Sequence, residues 1–338
     1  EGTAGCVRAA IDNDLLRTDK PRLWYLGPMF RYERPQKGRS RQFHQFSAEV
    51  FGLSTPEIDA ELIMISARLW KKLGIYEGLR LEINNLGDEQ TRKSYSKALV
   101  DFLTKFSLDL DKEANRKLTE NPLRILDSKS AEIQEILKDA PLIEDFANED
   151  SKNYQAHLLE ILDDMDICYE VNPRLVRGLD YYCKTVFEWT TTELGAQDAV
   201  CAGGRYDGLV EQLGGKPCAG IGFALGLERI VLLAEQKEVV PEKYTHNSDV
   251  FVVCEDKFWS QVILILENVR AECSDIRITF NCGGVSLKSQ LKRADKSKSR
   301  VALIFGEREI SENTVSICLL YTSPSPRDLS TSRMPSSA

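Results

Sequence analysis

Only three histidines occur in the chain, His44, His157 and His246, and none of the nine cysteines stands in a C-x-x-C pair. So few imidazoles and no paired thiol spacing argue against a zinc centre, and no protein-held metal site is expected. An odd cysteine count without regular spacing reads instead as reduced thiols, used as small buried filler in a cytoplasmic protein. No apolar run approaches the length needed to cross a bilayer, so no membrane partner is expected. No secretory leader is present, although the chain opens at Glu1 and not at a methionine. Phosphate-loop chemistry is missing too. No G-x-x-x-x-G-K-[ST] exists, and Gly220-Ile-Gly222 fails as a dinucleotide fingerprint because Leu225 fills the third glycine position. Positive charge is in deficit, 44 Lys and Arg against 52 Asp and Glu. That argues against nonspecific adhesion to nucleic acid but leaves room for a local basic surface.

What is present is organised around residues 23 to 51. Leu23 to Glu33 and Arg41 to Phe51 read as two strands, joined by the turn-rich Arg34-Pro-Gln-Lys-Gly-Arg-Ser40. Side chains alternate across a strand, so Arg31 and Glu33 share one face of the first strand, and Phe43, Gln45, Ser47 and Glu49 share one face of the second. If the register joins these faces, one surface holds an arginine, two carboxylates, an amide and an aromatic ring. The loop adds Arg34, Lys37, Arg39 and Arg41, and guanidinium forks match phosphate oxygens bidentately. The plainer alternative is a surface hairpin with solvated charges. Polar groups on an inward face cost free energy unless something pairs with them, which favours a ligand site.

Along the chain, Thr3 is placed to cap a helix starting at Ala4, and Thr55-Pro56 opens another. Leu79 to Asn84 alternates as a short strand. Residues 88 to 170 turn charged and helical, broken at Asn121-Pro122 and Ala140-Pro141, and read as a helical insertion between strands of one sheet. Residues 174 to 189 return to strand chemistry. Gly222, Gly226 and Arg229 fall at helical spacing, with Gly226 expected to permit close packing. Arg205, in Ala202-Gly-Gly-Arg-Tyr-Asp-Gly208, receives no chemical role because a fold-stabilising ion pair suits it equally. After a polar linker at 241 to 248, a β-α-β-α-β order up to Gly306 suggests a small α/β domain with a parallel sheet. The Ser- and Pro-rich segment from Cys318 lacks periodicity and is set apart as a non-native tail expected to have no order.

Several stretches carry a resemblance. PMFRYERPQKGRSRQFHQFSAEVFG resembles motif 2 of class II aminoacyl-tRNA synthetases, specifically the histidyl-tRNA synthetases. Arg177-Gly178 with Asp180-Tyr-Tyr182 resembles their histidine-specific motif, AGGRYDG a second such motif, and CAGIGFALGLER motif 3. Glu1-Gly-Thr3 is similar to the start of their substrate loop. The resemblance implies an α+β fold, in which an antiparallel class II sheet is flanked by helices. The catalytic core would span residues 1 to 87 and 171 to 240, with the helical insertion at 88 to 170. A truncated anticodon-binding α/β domain would occupy 249 to 317, and the tail 318 to 338. It also implies ATP-dependent ligation of L-histidine to tRNA(His) through a histidyl-adenylate, with ATP and Mg2+ as co-substrate and cofactor.

The implied roles follow residue by residue. Arg31 and Arg177 hold the α-phosphate and the histidine carboxylate. Glu33 and Phe43 cradle adenine, with Arg229 stacked on its other face, while Arg39 neutralises the outer phosphates together with magnesium. Glu1, Thr3 and Gln45 take the amino group, and Glu49, Tyr181 and Tyr182 read the imidazole. Imidazole presents one donor and one acceptor, so a site that bonds both rejects amino acids lacking them. The alternative is a catalytically silent, histidine-sensing regulatory relative. Such a protein is expected to lose the ATP arginines, and Arg31, Arg177 and Arg229 are all present. The resemblance further implies a homodimer built on an N-terminal motif 1. No counterpart of that motif occurs from Glu1 onward, so the polypeptide as given is expected to be inactive or weakly active.

Overall fold

The computed structural model describes all residues except 1, 18–19, 33–34, 36–37, 107–109, 129, 196–198, 242–243, 245–247, 282–283, 321–331 and 336–338. The chain divides into two compact units, Glu1–Val239 and Val240–Ala338.

The first unit opens with helix α1 (Gly2–Asp12) and the hairpin β1 (Arg22–Phe30) and β2 (Gln42–Phe51). Helix α2 (Pro56–Leu73) begins on Pro56, whose fixed φ suits a first helical turn. It stops at Gly74, whose left-handed φ of 72° lets its N–H bond the carbonyls of Lys71 and Trp70. Strand β3 (Arg80–Asn85) is followed by the helices α3 (Glu89–Leu103), α4 (Lys112–Glu120), α5 (Ala131–Leu137) and α6 (Glu149–Asp164), the last of which packs Leu158 and Leu162 into the main core of the unit. The chain returns through β4 (Glu170–Val171), β5 (Cys183–Thr190), β6 (Ala199–Arg205), the short α7 (Leu209–Gln212), β7 (Gly220–Gly226) and α8 (Leu227–Gln236).

These strands form one seven-stranded sheet in the order β1-β2-β7-β6-β5-β3-β4. All neighbours are antiparallel except β3 and β4. The register pairs Leu23 with Glu49, Gly27 with Gln45 and Met29 with Phe43, so the odd-numbered residues of β1 share a face with Phe43, Gln45, Ser47 and Glu49 of β2. The opposite face carries Val50, Phe223, Ile221, Phe187, Trp189 and Ile83, which pack with Ile58, Leu62, Ile63 and Trp70 of α2 into the main core. A separate core (Tyr95, Leu99, Leu103, Ile125, Leu137) belongs to the insertion and also takes in Leu175 and Val176.

Three local expectations change. Thr3 lies inside α1 and does not cap it, because the helix already runs from Gly2. The strand expected over 174 to 189 starts only at Cys183. Before it, side-chain bonds take the place of a ladder. Asn84 Nδ2 donates to the carbonyls of Pro173 (3.2 Å) and Leu175 (2.9 Å), and the Arg174 N–H donates to Asn172 Oδ1 (3.0 Å). Gly222 and Gly226 lie in strand β7, so they share no helical face with Arg229 in α8. A Cβ on Gly226 would meet only Arg229 Cδ, at 4.0 Å, so close packing is not its role.

The second unit runs β8 (Val250–Cys254), α9 (Trp259–Glu272), β9 (Ile278–Phe280), α10 (Leu287–Lys296), β10 (Val301–Phe305), α11 (Glu307–Ser311), β11 (Thr314–Leu319) and β12 (Ser332–Pro335). Its sheet order is β12-β11-β10-β8-β9, with the β10-β8 and β8-β9 pairs parallel. The absence of order expected from residue 318 onward is overturned in part. Cys318 is buried and pairs with Ala302, and residues 332 to 335 pair with β11. An open sheet edge recruits backbone whatever the side chains, so a Ser-rich segment can complete it.

Among the described residues no helix is long and apolar enough to cross a membrane. The eight described cysteines are free thiols, but Cys168 and Cys273 are exposed, so burial is not general among them.

Candidate functional site

The face of the sheet opposite the main core carries small residues at its centre. Gly222 and Ala224 of β7 face Gly204 and Ala202 of β6 across the ladder, and Glu49 and Ser47 of β2 face them on the other side. Small side chains here leave a cavity of about 530 Å³. Of the residues expected in the site, Thr3, Arg31, Phe43, Gln45, Arg177, Tyr182 and Arg229 line it together. Glu49, Tyr181 and Arg39 are not among the lining residues. Glu1 and Glu33 lie outside the described residues.

Glu49 is 1% exposed and lies behind Thr3 and Tyr206, which line one end of the cavity. A buried carboxylate must be bonded, and this one accepts from three hydroxyls. Thr3 Oγ1 donates at 2.8 Å, Tyr25 at 3.0 Å, and Tyr206 donates to the second oxygen. Burial and the adjacent carboxylate push the phenol pKa values of Tyr206 and Tyr25 upward, so both remain donors at neutral pH. The same two causes raise the Cys6 thiol to about 11. Gly222 makes this geometry possible. A Cβ there would lie 1.7 Å from Glu49 Oε2. Tyr182 and Tyr181 pack with tilted rings, centroids 4.7 Å apart, and both meet Tyr206 edge-on. Tyr182 faces the cavity, and Tyr181 packs on the cluster of Val7, Phe51 and Tyr206 behind it.

Three arginines mark the rest of the cavity. Arg31 lies with its guanidinium carbon 4.3 Å from the centroid of Phe43, a cation–π contact, and burial lowers its pKa. Arg177 Nη1 is 3.2 Å from Glu188 Oε1. Burial opposes the charge of Arg177, but Glu188, with lesser help from Tyr182 and Asp127, more than offsets this and raises its pKa. Arg229, in the first turn of α8, donates Nε to the carbonyl of Gly38 at 2.9 Å and Nη1 to that of Ala199. The next residue back, Glu228, accepts from the backbone N–H of His44 at 2.8 Å. Those contacts tie the start of α8 to the hairpin loop at Gly38, to β2 at His44 and to β6 at Ala199.

Arg205 is a different case. Its side chain is fully buried and ion-paired with Asp59 and, at 3.0 Å, with Asp207. It also donates to the carbonyls of Leu53 and Thr55, while Tyr154 donates to Asp59 at 2.9 Å. This network faces away from the cavity and joins α2, α6 and β6. The sequence left Arg205 open between chemistry and structure, and the structure assigns it to the latter.

Sequence reasoning missed Tyr25, Tyr206 and Glu188. Tyr25 has the same parity as Arg31 on β1 and could have been found by counting back in twos. Tyr206 is 157 residues from Glu49, and no local pattern joins them. Glu188 was visible only as one charge in an apolar strand.

Among the described residues no group of three or more His, Cys, Asp or Glu is placed to hold a metal ion.

A family model described as histidyl-tRNA synthetase matches residues 1–230. The apo histidyl-tRNA synthetase of S. aureus superposes with a TM-score of 0.74 at 32% identity, covering 99% of this chain and 80% of that one. The histidyl-tRNA synthetase of Nostoc sp. PCC 7120 gives 0.65 at 19% identity over 99% and 79% of the two chains. A Bacillus halodurans C protein described as an ATP phosphoribosyltransferase regulatory subunit/histidyl-tRNA synthetase gives 0.56 at 18% over 90% and 79%. At those identities the last two share the fold alone.

Proposed function

Because the chain belongs to the histidyl-tRNA synthetase family, we propose that it ligates L-histidine to tRNA(His) in two steps, with ATP first activating the amino acid. The histidine carboxylate is ionised at neutral pH. One of its oxygens attacks the α-phosphorus of ATP, a new O–P bond forms, and pyrophosphate leaves with the electrons of the broken bond. The terminal ribose hydroxyl of tRNA then attacks the activated carbonyl and AMP leaves. The first step needs no base, so positioning and charge neutralisation carry it.

Arg31 and Arg177 take the carboxylate and α-phosphate, while Phe43 and Arg229 hold the adenine between them. Gln45 and Thr3 receive the ammonium group. Glu49 and Tyr182 bond the two imidazole nitrogens, with Tyr25 and Tyr206 fixing the carboxylate of Glu49. Glu1, Glu33 and Arg39 are assigned by the family's motifs to the ammonium group, the adenine and the outer phosphates. Tyr181 supports Tyr182 from behind.

The observation that carries this reading is that three arginines from three separate segments line one cavity together with Thr3 and Tyr206, whose hydroxyls hold the buried carboxylate of Glu49 behind it. A regulatory relative needs the histidine end of such a cavity but not the arginines around it. Histidine-dependent exchange of pyrophosphate into ATP tests the difference. In the full-length parent exchange is expected, and Arg177→Ala there is expected to reduce it at least 100-fold, a loss of about 2.7 kcal/mol in transition-state stabilisation. Histidine binding with no exchange would favour the regulatory alternative.

A further inference from the structure

Arg177 lies where nothing in the backbone fixes its side chain. The segment before it is fastened, since Asn172 N–H bonds the Ile83 carbonyl at 2.9 Å and Leu175 and Val176 are buried in the insertion core. The residue after it, Gly178, has open space around it. An arginine side chain carries roughly 2 kcal/mol of rotamer entropy, so its direction must come from a contact. Glu188 supplies one. It stands on β5 in the interior of the sheet, paired with Ala202 on one side and Glu82 on the other, and both Glu188 and Arg177 line the cavity.

The placement of Glu188 is costly in itself. Like charges directly opposed on neighbouring strands destabilise a sheet, and Glu188 is directly opposite Glu82. Glu82 is satisfied elsewhere, by Asn172 at 2.6 Å and Thr190 at 3.3 Å. Glu188 faces Arg177 at 3.2 Å. Moreover, the Nε–H of Arg177 is buried and makes no hydrogen bond among the described residues. One part of the guanidinium is thus held by a carboxylate while another donor awaits an acceptor, and a buried donor is left so only at a cost.

We infer that Glu188 is a positioning residue. It holds the guanidinium of Arg177 so that the remaining donors face the carboxylate and α-phosphate, and it does not itself touch the ligand. The inference rests on the role given to Arg177 under the proposed function.

Two experiments on the full chain test it. In the first, histidine and histidinol, which lacks the carboxylate, are titrated calorimetrically against Glu188→Ala, Glu188→Gln, Arg177→Ala and the Glu188→Ala/Arg177→Ala pair. Glu188→Ala is expected to weaken histidine about tenfold and histidinol less than twofold, Glu188→Gln to recover part of the loss, and the pair to bind no worse than Arg177→Ala alone. Equal weakening of both ligands, or additive losses in the pair, would overturn the inference. In the second, the crystal structure of Glu188→Gln or Glu188→Ala, whichever melts nearer the unsubstituted protein, is expected to show the Arg177 guanidinium turned away from its present direction. An unmoved guanidinium overturns the inference whatever the chain binds. No histidine binding by the unsubstituted protein, with Arg177 moved in the variant, would instead overturn the histidine reading and leave the positioning role standing.

Discussion

Arg205 and Arg177 both stand beside a glycine and both pair with a carboxylate, yet one is sealed and the other faces a cavity. Arg205 is 0% exposed, with Asp59, Asp207 and two carbonyls around it. Arg177 keeps 22% of its side chain accessible and pairs with Glu188 at the cavity wall. An arginine surrounded by acceptors has no donor to offer a ligand. One with a single side held is both aimed and available. The lesson is that a charged residue's role follows from how its donors are shared out, which the residue type leaves open.

The largest effect should come from breaking the sealed pair. Asp59→Asn leaves a buried guanidinium short of charge, and removing one partner of such a pair costs about 3–5 kcal/mol. Urea denaturation should show that loss, whereas Arg177→Ala, which the exchange assay hits hard, should cost less stability, because its pair with Glu188 keeps 22% and 17% of the two side chains accessible. Equal stability losses in the two variants would erase the distinction.

Next comes a pair of glycine substitutions on the cavity side. Gly222→Ala drives a methyl group into Glu49 and is expected to weaken histidine binding at least tenfold while ATP binding changes less than twofold. Gly226→Ala, in the same strand, meets nothing closer than 4.0 Å and should leave both affinities unchanged. A silent Gly222→Ala would mean that the carboxylate is not held where it lies.

The smallest effect marks the exposed end of the scale. His157 bridges Glu160 at 3.3 Å and Glu57 at 3.2 Å, and these bonds, Glu160 first, raise its pKa above the ordinary value. A raised pKa stabilises the fold fully below the unfolded value of about 6.5 and loses that contribution as pH rises through the folded one. His157→Gln should therefore lower Tm slightly at about pH 5.5 and not at all by about pH 9. A difference that grew with pH would contradict the bridge.

Much of this was legible in the chain. Alternation along β2 placed Phe43, Gln45 and Glu49 on one face, and Pro56 and Gly74 bounded α2 by backbone preference alone. The motifs around Arg31, Arg177 and Arg229 announced three pieces of one cavity. Other pieces misled. Glycine spacing in a short apolar run fits strand and helix alike, so Gly222 and Gly226 read as helical when they form β7. Thr3 looked like a cap because capping is its commonest local use, but its hydroxyl is spent on a carboxylate 46 residues away. Tyr206 was missed because its partner Glu49 lies 157 residues away, outside any window of sequence.

The order of most strands and helices was set by short-range chemistry, in alternation, capping and turn residues, all of which act within a few positions, while the three cavity arginines were named by the resemblance of their motifs. Which arginine became structural, which hydroxyls hold Glu49 and what aims Arg177 were decided only when strands distant in sequence came together. Desolvation and ion pairing depend on those distant neighbours, and Asp59 meets Arg205 across 146 residues of chain.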